Sequence, residues 1–134
     1  MQTHSKLRLA LRLNAGFSTL SAVFILFTHD SLGALMGIAS PILWAVAVGL
    51  GAFAGYLMFT AARTDSEKLR AESLRHSIAD FAWGIASVGI VISGVLTPTG
   101  NLVLAAVALP VLGLGIAQWR ALPTRNSQAL AAKA

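Results

Sequence analysis

The sequence predicts an all-α integral membrane protein, a four-helix bundle that forms one domain over residues 1–134. Three observations lead there. Hydrophobic residues make up 56% of the chain and charged ones only 11%, against about 25% charged in soluble domains, so much of the outer surface must face something apolar. Four stretches reach the roughly 20 apolar residues that a helix needs to cross a hydrocarbon core of about 30 Å. Finally, lysine and arginine gather in three segments and are missing from the two short links between them.

The first helix is placed at about 9–28, interrupted near its start by Arg12. The second runs over about 35–62, where "PILWAVAVGLGAFAGYLMFTAAR" carries no charge between Pro41 and Arg63. The third covers about 77–97 with Asp80 as its single charge, and the fourth covers about 102–119. Buried strands are shorter, about 4–8 residues, and membrane barrel strands alternate apolar with polar, which these runs do not. In lipid, each backbone N–H and C=O must be satisfied within the protein, so helices follow. Residues 121–134 read as a flexible C-terminal tail.

The links "HDSLGA" (29–34) and "TPTGN" (97–101) are short and hold Gly or Pro, which marks turns between antiparallel neighbours. The link "RTDSEKLRAESLRH" (63–76) is longer and charged. Thr64 and Glu67 have the spacing of a capping box, so the third helix is expected to begin early and extend beyond the membrane. Lys6, Arg8 and Arg12 flank the N-terminus, Arg63, Lys68, Arg70 and Arg75 lie in the long link, and Arg120, Arg125 and Lys133 follow the fourth helix. The positive-inside rule places all three groups in the cytoplasm, giving an N-in/C-in protein with short outer loops. That arrangement accounts for the net charge of +5 without nucleic acid as a partner. A cleaved signal peptide fits less well, because the first apolar stretch is long and holds Asn14, Ser18 and Ser21.

Placing Pro41 over Pro110 also aligns several neighbouring residues, which raises a parallel repeat of two hairpins. Burial alone does not associate helices in lipid, whereas close packing at small residues does. Gly51 and Gly55 are the plainest small-xxx-small pair, read here as packing within the bundle, with a dimer face as the alternative. Asn14, Ser18 and Ser21 share one face of the first helix. Asp80 is the candidate intramembrane polar site, together with Asn14, Ser18 and Arg12. Either it is a carboxylate facing a cavity, or it is a first-turn acid favoured by the helix dipole and paired with Arg12. Trp83, Trp119 and Tyr56 read as interfacial anchors.

There is no cysteine, which removes thiol chemistry and disulfides. His29 and His76 fall on opposite sides of the predicted membrane, and His4 has too few neighbours for a metal site. No H-E-x-x-H, P-loop or G-x-S-x-G pattern occurs. No cofactor, no metal and no enzymatic activity are therefore expected.

The stretch "LRLNAGFSTLSAVFILF", ending at Phe27, and "ADFAW" (79–83) resemble small bacterial integral membrane proteins with four helices and no assigned function. The resemblance implies the bacterial inner membrane and carries no site residues with it. The leading functional expectation is a non-catalytic accessory or scaffold subunit of a larger membrane assembly. Its partners would be the bilayer and either other membrane subunits or further copies of the chain. The second expectation is binding or transport of a small or lipidic molecule in a polar cavity near Asp80.

Overall fold

The computed structural model describes residues 2–123, with side chains from His4 onward. Four α-helices follow one another: α1 Gln2–Met36, α2 Ser40–Ala61, α3 Ser66–Ser93 and α4 Pro98–Arg120. All four are long and apolar enough to cross a membrane. At 1.5 Å per residue even the 22-residue α2 reaches about 33 Å. The expected tail lies outside the described residues except for Ala121, Leu122 and Pro123, as do Arg125 and Lys133.

The side chains are sorted for an apolar surround. Phe27 and Ile92 are 86% and 79% exposed, and Leu20, Ile85 and Leu102 also point outwards. The interior holds Asn14, Ser73, Ser77 and Gln118, none of them with measurable exposure. A water-soluble bundle would reverse that distribution. Four such helices make this a multi-pass membrane protein in architecture.

α1 is longer than its apolar run, and the expected loop 29–34 is helical. The turn is shorter and comes later. Gly37 adopts φ +76°, and the N–H groups of Gly37 and Ile38 both donate to Gly33 O at 2.9 Å. This left-handed closure satisfies the last carbonyls and suits a residue without Cβ. Asp30 and His29 stay in the helix because they hydrogen-bond across the turn. Ser40 Oγ donates to Asp30 Oδ1 at 2.6 Å and lies 2.6 Å from His29 Nδ1.

α2 opens with Pro41 in its first turn, where the missing N–H has no acceptor to serve. Pro110, by contrast, lies in the middle of α4. The two prolines are not equivalent in position, and the repeat built on matching them is not a structural one.

α3 starts at Ser66, well before the membrane-length run from Ser77. Its cap is Asp65, not Thr64. The Asp65 carboxylate accepts from the N–H groups of Glu67 and Lys68 at 3.0 and 3.1 Å. Those backbone N–H groups, Lys68's above all, lower the Asp65 pKa from its ordinary 3.8. Thr97 caps α4 through a 2.9 Å bond from Gly100 N, and it ties the two turns together by donating to Leu35 O at 2.6 Å.

α1 packs most closely on α2, α3 on α4, and α1 on α4, whereas α2 and α3 touch only lightly. Leu32, Met36, Leu43 and Leu96 form an apolar plug at the turn end. Leu7, Leu11, Ala15, Leu57, Ala61 and Leu69 form another at the opposite end. There Arg8 donates to Arg63 O at 2.8 Å and Arg70 to Pro123 O at 3.1 Å. Every described lysine and arginine lies in this second half of the molecule.

Candidate functional site

One face of α3 carries the interior polar groups. Ser73, His76, Ser77, Asp80, Gly84 and Ser87 are buried, at the three- and four-residue steps of a single helical face. Ser73, Ser77 and Ser87 donate to the carbonyls of Leu69, Ser73 and Trp83 in their own helix. Their hydroxyls are thereby consumed locally. His76 and Asp80 reach across to other helices.

Asp80 is 2% exposed and sits about four turns into α3. The macrodipole acts within the first turn, so the reading of Asp80 as a first-turn acid is corrected. The Arg12 partnership is corrected as well. Arg12 is exposed, and no ion pair reaches Asp80 among the described residues. The partners are two neutral amides. Asn14 Nδ2 of α1 and Gln118 Nε2 of α4 both donate to Oδ2, at 2.8 and 3.0 Å. Ser18 Oγ stands 3.5 Å from Asn14 Oδ1, at the limit of a hydrogen bond. Asn14, Ser18 and Asp80 are thus brought together, and Arg12 is left outside.

Nothing in the sequence singles out Gln118. It lies near the end of α4, beside Trp119 and Arg120, where a polar residue reads as a flank. What brings it to Asp80 is Gly115. A Cβ built there would come within 3.0 Å of Asp80 Cβ, so only glycine lets α3 and α4 approach this closely without displacement. The Gln118 amide oxygen has no partner among the described residues, a cost of about 1–3 kcal/mol that the bond to Asp80 must offset.

Asp80 also lines a cavity of about 280 Å³ in the middle of the bundle. Ser18 and Ser21 join it on the lining, and Phe17, Phe53 and Trp83 supply aromatic walls. Val107 and Val111 of α4 complete it on either side of Pro110. The exposed Gly49 and Ala79 stand at the rim where α2 and α3 scarcely meet. Both described hydrogen bonds to the carboxyl end on Oδ2. Oδ1 has no hydrogen-bond partner among the described residues.

A second polar pair lies one turn nearer the charged end. His76 Nε2 is 3.0 Å from Thr60 Oγ1, and the ring meets Phe53 and Tyr56 edge-on at 5.4 and 4.6 Å. The early start expected for the third helix puts His76 on a helical turn, but its burial against α2 has no signal in the sequence.

The remaining candidates fall elsewhere. Gly51 and Gly55 are exposed, and a Cβ built on either meets nothing within 4 Å. They do not pack within the bundle, and the close approaches are made by Gly33, Gly84, Gly100 and Gly115. Trp83 is a cavity wall near the middle of α3. Trp119 is 52% exposed with its ring 6.2 Å from Phe81. The exposed Tyr56 donates its hydroxyl to Glu72. Among the described residues no three His, Asp or Glu side chains cluster as metal ligands do.

No protein-family model matches the chain, and neither a curated protein nor a solved structure shows significant similarity to it.

Proposed function

We propose that this chain is a non-catalytic protein of the bacterial inner membrane whose central cavity binds a small amphipathic molecule taken from the bilayer. Both termini and the charged link between α2 and α3 face the cytoplasm. The orientation rests on the gathering of the described cations at one end of the bundle. The binding reading rests on one observation: the cavity of about 280 Å³ has apolar walls and a buried carboxyl with an unpartnered oxygen. That volume lies just below the range of drug-sized ligand pockets, roughly 300–1,000 Å³, and suits a compact molecule. Interhelical hydrogen bonding accounts for Oδ2 of this carboxyl, and the binding reading gives a role to Oδ1.

Access follows from the packing. The backbones of α2 and α3 stand apart and their side chains bridge them towards the charged end, where Tyr56 and Thr60 meet Glu72 and His76, so a molecule dissolved in the acyl chains reaches the cavity sideways past Gly49 and Ala79. Gly49 at the rim offers a clean test, since a Cβ added there meets no neighbouring atom within 4 Å. Gly49→Leu closes the mouth and replaces a poor helix former with a good one. Native mass spectrometry of the chain purified from its own membrane should show a retained small molecule in the wild type. The Gly49→Leu variant should lack it. Identical spectra for the two proteins would defeat the binding reading.

A second reading, an accessory subunit of a membrane assembly, draws on the outward placement of Gly51 and Gly55. Small residues on an open helix face admit a close neighbour. It predicts a second polypeptide in fixed ratio in the same purification, weakened by Gly51→Leu and untouched by Gly49→Leu.

A further inference from the structure

We infer that the occupant of the cavity is a lipophilic organic cation, an amine or quaternary ammonium group on a compact apolar body. The inference rests on the binding reading and gives it a substrate class. Its first support is the charge balance around Asp80. The carboxyl is 2% exposed, and its described partners are the neutral amides of Asn14 and Gln118, both on Oδ2. Oδ1 belongs to a residue of the cavity lining and has no described partner. No cation among the described residues neutralises the site. Arg12 is exposed, and the described ion pairs join other residues. A carboxylate is stable in low dielectric beside a partner of opposite sign, and a cationic ligand on Oδ1 would supply that partner.

The walls supply the second support. Phe17, Phe53 and Trp83 face the same space as Asp80. Aromatic faces attract cations, tryptophan most strongly, and quaternary ammonium groups are recognised by such cages. Anionic ligands find no basic residue on the lining. A hard metal ion is disfavoured as well, since it needs about six oxygen ligands and the described residues offer one carboxylate here. The rest of the cavity is apolar, which requires the ligand to carry a hydrocarbon body and to partition into the bilayer before entering.

Benzyltrimethylammonium and neopentylbenzene test the inference, because they share a shape and differ in the central atom and its charge. Binding of each to the full chain in nanodiscs is followed by Trp83 fluorescence, with Trp44 and Trp119 replaced by Phe. The cation should bind at one per chain, and the neutral isostere at least tenfold more weakly. Asp80→Asn should weaken the cation by about a hundredfold, the scale of removing one partner of a buried pair, and should leave the isostere unchanged. If Asp80→Asn misfolds, Asn14→Ala and Trp83→Leu (the latter read by calorimetry) serve instead. Each should weaken the cation more than the isostere. Equal affinity for the two probes, with binding abolished by Gly49→Leu, would overturn the cationic class and leave the cavity reading intact. Binding of neither probe, with no molecule retained from the native membrane, would remove both.

Discussion

At the scale of single residues, the feature that sets this chain apart is a carboxyl held by amides instead of a guanidinium. Asn14 and Gln118 each give Asp80 Oδ2 an N–H donor, the kind of group that an acceptor-only carboxylate uses. Interhelical hydrogen bonds within membranes contribute modestly, about 0.6 kcal/mol on average and up to about 1.7. Asn14→Ala should therefore lower the unfolding free energy in mixed micelles by about 1 kcal/mol. Arg12→Ala, at an exposed position, should change it by less than about 0.5 kcal/mol. Equal costs would mean that Arg12 does pair with Asp80. Asp80 and Asn14 could be singled out in the sequence because each is a conspicuous polar residue inside an apolar run. Gln118 could not, since it precedes Trp119 and Arg120 and merges with the polar flank. Only when the four helices are set antiparallel does it fall at the level of Asp80.

At the scale of helices, glycine does two different jobs, and spacing in the sequence does not separate them. Gly51 and Gly55 have the spacing of a packing motif and face outwards. Gly100 has no such spacing, yet a Cβ there would lie 2.8 Å from Met36 O. It is the contact that seats the start of α4 on the end of α1, beside the Thr97 bond to Leu35 O. The obstacle at Gly100 is backbone, which cannot rotate aside. Gly100→Ala should therefore destabilise by about 1–3 kcal/mol, the range for overpacking. Gly51→Ala should be neutral or gain up to about 1 kcal/mol of helix propensity. Thermal unfolding of both variants in one detergent checks the contrast, and an equal loss in both would place Gly51 inside the packing. The existence of the helices was legible because an apolar run of membrane length has few alternatives. Their ends were not. The polar residues of 29–34 resemble a loop in sequence and are accommodated in α1 by bonds from His29 and Asp30 to Ser40. Asp65 displaces Thr64 as cap of α3 for a local reason, two backbone N–H groups within reach of its carboxylate.

For the whole molecule, one arrangement links surface, interior and cavity. Large apolar side chains face outwards, polar ones face inwards, two apolar plugs close the ends, and a cavity lies between them. This order is stable only if hydrocarbon surrounds the helices, and the cluster of described cations at one end supports the proposed orientation. The apolar surround was legible from composition and run length. A cavity beside Asp80 and Ser18 could be expected from their polarity, but its apolar, aromatic walls and its rim between α2 and α3 could not, because they depend on tertiary packing that neither helix carries in its own pattern. The membrane arrangement underlies the proposed lateral entry and the burial of Asp80 among neutral partners. Because the chain has no cysteine, it can be tested with single cysteines in an otherwise unmodified protein. Ser31→Cys near the turn end and Lys68→Cys at the charged end are treated with a membrane-impermeant maleimide, on intact cells and on inverted membrane vesicles. Position 31 should react only from outside the cell and position 68 only from the cytoplasmic face. Labelling of both positions from the same side would contradict the account.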